Sequence, residues 1–212
     1  MGKPFQFSLK ELIVIVFVLA ILLGLLLPVL INRRPPHRLT ACLNNLRQLG
    51  LACHMYADVP GNNDLFPNDG QSACHSMNLL YDKYAMDYKL WVCPMVGKQD
   101  DTVKMEPSPG TPNLNNKMTS YGYDRDHKPD DADVVLLSDM GPDAGPGKNS
   151  TSHGVANGVG RGQHVVDCSG SGRFMDNTIL KRSSKVPDDD IFQDDTKDGK
   201  LKKSEDSWIR ND

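Results

Sequence analysis

The chain has 212 residues with a net charge of -3 and a sequence pI near 6.0, so no basic surface excess invites nucleic acid, and that class of partner is excluded. Eighteen glycines and fourteen prolines, concentrated after Asp58, point to a loop-rich domain of short strands rather than a helical bundle. The roughly 180 residues that follow the apolar amino-terminal run suffice for one domain with a modest core.

That run, Phe7 to Ile31, comes first. No charged side chain occurs from Leu12 to Ile31, and about twenty helical residues at about 1.5 Å each match the roughly 30 Å hydrocarbon layer of a bilayer. The sequence therefore predicts a membrane helix. A secretory signal is disfavoured, because the run is too long and no A-x-A-like site follows. Glu11 stands at its entrance, where a carboxylate costs a few kcal/mol unless it finds a positive partner.

Phe7-Ser8-Leu9-Lys10-Glu11-Leu12, the apolar run and Pro28 late in it resemble the amino-terminal segment of type IV pilins and type II secretion pseudopilins. The resemblance implies cleavage by a prepilin peptidase before Phe7, methylation of the new amine, and pairing of Glu11 with a neighbouring subunit's terminus. It also implies a short leader over 1–6 and a transmembrane helix over 7–34. In this sequence Gln6 stands where that family has glycine, and Lys10 where it has an apolar residue.

Beyond Arg33-Arg34-Pro35-Pro36, where two prolines interrupt the helical ladder, a second helix is predicted from His37. Leu39, Cys42, Leu43, Leu46, Leu49, Gly50, Cys53 and Tyr56 recur at three- and four-residue spacing along one face. The words Ala41-Cys42-Leu43-Asn44-Asn45-Leu46-Arg47-Gln48-Leu49-Gly50-Leu51-Ala52, then Tyr56-Ala57-Asp58 and Phe66-Pro67, resemble the CxNNLKQxGLAxxxY signature of the DUF1559, H-x9-DG group of pseudopilin-like proteins typical of planctomycetes.

Residues 58–72 read as a loop, 73–84 as a short helix, and Leu90-Trp91-Val92-Cys93-Pro94 as an extended segment stopped by proline. Residues 97–117 read as an irregular loop, and 118–123 and 133–139 as strands, the second the most apolar of the domain. In the glycine-rich block 141–162, GVGRG lacks the GK[ST] ending of a phosphate loop. Gln163 to Cys168 and Ser171 to Met175, joined by Ser169-Gly170, form a predicted hairpin. His153, Gly162, Val165, Gly170 and Phe174 there resemble the histidine-plus-hairpin element of the same group, with Ser169 and Ser171 departing from it.

The tail over 181–212 is acidic and reads as flexible and solvated, with Ile191-Phe192 and Trp208-Ile209 as segments able to dock. Within it, Asp194, Thr196, Asp198, Gly199, Leu201 and Glu205 fall at positions one, three, five, six, eight and twelve of an EF-hand template. Calcium is the candidate cofactor, against the plainer reading of a solvated acidic tail.

Five cysteines are present. Cys53-His54 and Cys74-His75 match no usual zinc spacing. Cys42 and Cys53, about 16 Å apart along one helix, cannot bond to each other. Each would pair with Cys74, Cys93 or Cys168, and the pairings favoured are Cys42 with Cys93 and Cys53 with Cys74. Ser152, His153 and Asp139 do not form a triad spacing, and no G-x-S-x-G elbow exists, so no enzymatic activity is expected.

The expected architecture is α+β and type IV pilin-like: a long amino-terminal transmembrane helix packed on a small antiparallel sheet, with an extracytoplasmic domain over 35–180. The expected function is that of a non-enzymatic pseudopilin-like subunit of a type II secretion or type IV pilus-like system. It would sit in the cytoplasmic membrane with its large domain outside. Its partners would be other pilin-like subunits, an inner-membrane platform and the prepilin peptidase. The alternative is an uncleaved, membrane-anchored module that binds a ligand or calcium.

Overall fold

A computed structural model describes residues 9–31, 36–81, 83–96, 119–140, 144–150, 155–156, 159–180, 189–193 and 209–210. The chain forms two compact units, Met1–His37 and Arg38–Asp212.

The first unit holds helix α1, Leu9–Ile31. Its large apolar side chains that are described, from Leu9 to Leu23, are between 45% and 74% exposed.

The expected pilin-like rod is corrected in two respects. Helical residues divide between α1 and α2, Pro36–Ala57, and the helix whose residues enter the domain core is α2. Among the described residues, moreover, no helix is long and apolar enough to cross a membrane.

The second unit is built on an antiparallel sheet of order β1-β2-β5-β6. Its strands are β1 (Tyr121–Tyr123), β2 (Val135–Asp139), β5 (Gln163–Asp167) and β6 (Gly172–Met175). The short pairs β3 (Val155–Ala156) with β4 (Val159–Gly160), and β7 (Ile179–Leu180) with β8 (Asp189–Asp190), lie between and after them in the chain. A register shift in β2 between Val135 and Leu137 marks a bulge against β5. The predicted hairpin is β5–β6, pairing Gln163 with Met175 and Val166 with Gly172. Asp167 ties its turn by accepting from Ser169 Oγ at 2.6 Å and from the Ser171 amide at 2.9 Å, so Ser169 takes part through its side chain and Ser171 through its backbone.

Every residue of β2 and β5 is buried, because both faces of the sheet are covered. Leu136 and Val166 enter a core shared with Cys42, Leu46, Leu49 and Cys53 of α2 and with Met77 and Leu80 of α3, Ala73–Tyr81. Val135 and Val165 enter a second core with Met175, Leu180, Ile191, Phe192 and Ile209.

Of the tail segments able to dock, Ile191-Phe192 and Ile209 do so. Ile191, Phe192 and Ile209 are buried, the Ile209 amide donates to the Ile191 carbonyl at 2.8 Å, and the Tyr123 amide donates to Arg210 O at 2.8 Å. An apolar strand buried on both faces needs a second cover, and the tail supplies it.

The signature words of α2 have plain structural roles. Asn45 Nδ2 donates to the carbonyls of Lys89 at 3.4 Å and Val92 at 3.3 Å, and Arg47 donates to Gly172 O at 2.9 Å. Gly50 faces β5 so closely that an added Cβ would lie 2.9 Å from Val166 Cγ1. The segment expected to extend over 90–94 is instead a 3₁₀ turn, Tyr88–Trp91, capped by Asp87. Leu90 and Trp91 are both buried, an arrangement that a strand, which sends neighbours to opposite faces, does not permit against a single core.

Candidate functional site

Where α2 crosses the end of β2 and the start of β5, polar groups meet inside the core. Cys42 Sγ donates to Asp139 Oδ1 at 2.7 Å, and Asp139 Oδ2 accepts from the His164 amide at 2.9 Å and lies 3.2 Å from His164 Nδ1. Tyr121 Oη is 3.6 Å from Cys42 Sγ. Cys93, just beyond the 3₁₀ turn, hydrogen-bonds to Cys42 through its thiol. Cys42, Cys93, Tyr121 and Asp139 are fully buried, and His164 is nearly so.

Helix periodicity puts Cys42 on the same face as Leu46 and Leu49, while strand alternation puts His164 opposite Val165 and on the helix-facing side with Val166. The cluster is thus a consequence of which faces are buried.

Burial, then the Cys93 hydrogen bond and the charge of Asp139, push the Cys42 thiol far above its ordinary range. Burial, and the neighbouring Cys42 and Cys93, do the same to the Tyr121 hydroxyl. A thiol held this strongly in its neutral form, without exposure to solvent, is no nucleophile. What the cluster offers is donor convergence: one ligand atom each from Cys42, Asp139 and His164 lies within 4.8 Å of the others.

A second buried polar group lies in the β1–β2 connection. His127 Nε2 is 3.1 Å from Asp124 Oδ2 and Nδ1 is 3.3 Å from Asp131 Oδ2. Burial alone would lower the imidazole's pKa, but the hydrogen bonds and charges of Asp124 and Asp131 outweigh it and raise the value above 6.5. The protonated form is therefore the one that folding favours. Its contribution is complete below the unfolded value and is lost as pH rises through the raised folded value. Thermal midpoints are expected to fall as pH is raised from about 6.5 through that transition. His127→Gln should flatten the profile, and an unchanged slope in calorimetry of the variant would refute the assignment.

Gln6 and Phe7 lie outside the described residues, as do Asp194, Thr196, Asp198 and Glu205 of the calcium template, Trp208, and Ser152 with His153. Glu11 and Pro28 fall within α1, but their side chains lie outside the described set. All five cysteines are buried, and none of them is in a disulfide. Of the two favoured pairings, Cys42 and Cys93 are neighbours through a hydrogen bond rather than a bond between sulfurs. Cys53 is instead placed within electrostatic reach of Cys168.

Sequence reasoning missed the cluster because its members lie 97 and 25 residues apart. The available signal was an aspartate ending the most apolar strand and a histidine directly before two valines. Compared with family models, with curated proteins and with solved structures, the chain matches none.

Proposed function

We propose that the protein is a non-enzymatic, pseudopilin-like structural subunit that assembles through α1. The observation that carries this reading is the exposure of that helix: Ile13, Val14, Ile15 and Val16, successive residues about 100° apart around the helix, are each at least 45% exposed. A helix apolar all round belongs inside a larger apolar assembly, not in water. The resemblance of Phe7 to Leu12 and of the α2 signature to pseudopilin-like chains supports the same reading. In the second unit the Cys42–Asp139–His164 and Asp124–His127–Asp131 groups are each largely buried and hydrogen-bonded internally, as expected of a structural domain.

Packing of apolar helices side by side would bury the α1 face against the same face of neighbouring subunits. An ammonium placed there, as in Leu19→Lys, meets no partner and costs at least about 1.4 kcal/mol, a tenfold change. Light scattering of the purified full chain is expected to show concentration-dependent assembly, shifted by tenfold or more in the variant. A full chain that stays monomeric at every concentration, or a variant that assembles as readily, would sink the proposal.

A further inference from the structure

The geometry points to a buried metal site for a zinc-class divalent ion, formed by Cys42, Cys93, Asp139 and His164. These four come from α2, the segment after the 3₁₀ turn, the end of β2 and the start of β5, and the site is independent of how α1 associates.

The donor set comprises two sulfurs, one carboxylate oxygen and one imidazole nitrogen, the mixture that tetrahedral zinc accepts. With metal–sulfur bonds of about 2.3 Å and metal–nitrogen or metal–oxygen bonds of about 2.0 Å, the edges of such a tetrahedron are roughly 3.3 to 3.8 Å. The ligand atoms of Cys42, Asp139 and His164 already fall within 4.8 Å of one another, and the 2.7 Å Cys42–Asp139 edge needs to open by only about an ångström. Cys93 adjoins Cys42 and, standing outside the group of three that already converge, would close on Asp139 and His164 to fill the fourth corner.

Location also favours an ion. Asp139 is fully buried at the seam between helix and sheet, where a carboxylate is costly unless its charge is compensated. A dication at the centre would compensate it and join four chain segments at one point. Binding replaces the Cys42–Asp139 hydrogen bond by metal bonds. Both thiols release their protons to solvent, Asp139 binds as the carboxylate, and His164 binds as the neutral imidazole through Nδ1, its one ring hydrogen carried on Nε2 after leaving the Asp139-facing nitrogen. No electron is transferred. Tyr121 Oη, 3.6 Å from Cys42 Sγ, is placed to donate to the bound thiolate from outside the ligand set.

The test is titration of the full chain, purified under reducing conditions and stripped by chelator, with cobalt(II) and then with zinc(II). The expected result is about one cobalt per chain, with thiolate-to-cobalt absorption in the near ultraviolet, tetrahedral ligand-field bands in the red, and loss of both when zinc displaces the cobalt. Cys42→Ser and His164→Asn should abolish these bands, whereas Cys74→Ser should leave them intact. Should the ligand variants fail to fold, Tyr121→Phe keeps the four ligands and is expected to weaken metal affinity by about 10- to 100-fold with the bands preserved. A folded wild-type chain without the bands would overturn the site. So would unchanged bands in Cys42→Ser, or a Tyr121→Phe variant that binds as tightly as wild type.

Discussion

Replacing Trp91 by alanine is expected to remove about 3–5 kcal/mol of stability, a large part of the roughly 5–15 kcal/mol that a domain possesses. Trp91 is fully buried among residues from α2, α3 and the sheet. Its ring meets Tyr81 edge-on at 5.9 Å between centroids, and its Nε1 donates to Ala85 O at 3.0 Å. Three losses coincide in the alanine variant. The cavity forfeits the dispersion contacts of the indole, the aromatic pair loses about 0.5–1.5 kcal/mol, and the buried Ala85 carbonyl is left without this donor. The backbone of Trp91 still accepts from the Ser120 amide at 3.2 Å, so the neighbouring segment keeps that anchor. Urea unfolding followed by far-ultraviolet circular dichroism should show a lower midpoint with an unchanged slope. Trp91→Phe, which keeps a ring but not the donor, should fall between the two. A loss below about 1 kcal/mol for the alanine variant would show that the site collapses around the gap, contrary to the close packing argued here.

What could be read from the sequence depended on whether the signal was local. The α2 face was legible, because Cys42, Leu46, Leu49 and Cys53 recur at helical spacing and all four are buried. So was the β5–β6 hairpin, whose Ser169-Gly170 turn uses a glycine at φ +83°. The segment 88–91 was misread because aromatic and β-branched residues beside a proline favour a strand locally, while Asp87 capping and the joint burial of Leu90 and Trp91 decide it.

In the acidic tail the local signal also held: of the segments able to dock, Ile191, Phe192 and Ile209 cover the second face of the sheet. The uninterrupted apolar run of Val134 to Leu137 had implied a cover on both faces. The Cys42–Asp139–His164 convergence, built across three elements, carried no spacing to recognise. In α1 the apolar composition was plain, and the two prolines at 35 and 36 marked where α2, the helix that enters the domain core, begins afresh.

Gly162→Ala is expected to destabilise the second unit by about 3 kcal/mol or more, and to do so through β5. Gly162 stands at φ +124° just before that strand, a region where side chains are strained. Its added Cβ would lie 2.2 Å from Met175 O and 3.0 Å from Asp176 Cα, both backbone atoms, and 2.8 Å from Phe174 Cζ. The aromatic ring can rotate; the paired backbone of β6 cannot give way without breaking its register with Gln163. Relief must come from a shift of β5, which carries the Gln163 Nε2 bond to Asn177 O at 2.7 Å and the His164 amide bond to Asp139 at 2.9 Å.

Gly170→Ala is the control. Its φ of +83° is also positive, but the nearest atom to the new Cβ is His54 Nε2 at 3.7 Å, an ordinary contact. That variant should lose only about 1–2 kcal/mol from backbone conformation. Hydrogen exchange should then show the β5 amides losing protection in Gly162→Ala and keeping most of it in Gly170→Ala. Equal losses in the two variants would mean that positive φ, and not the collision with β6, sets the cost at Gly162.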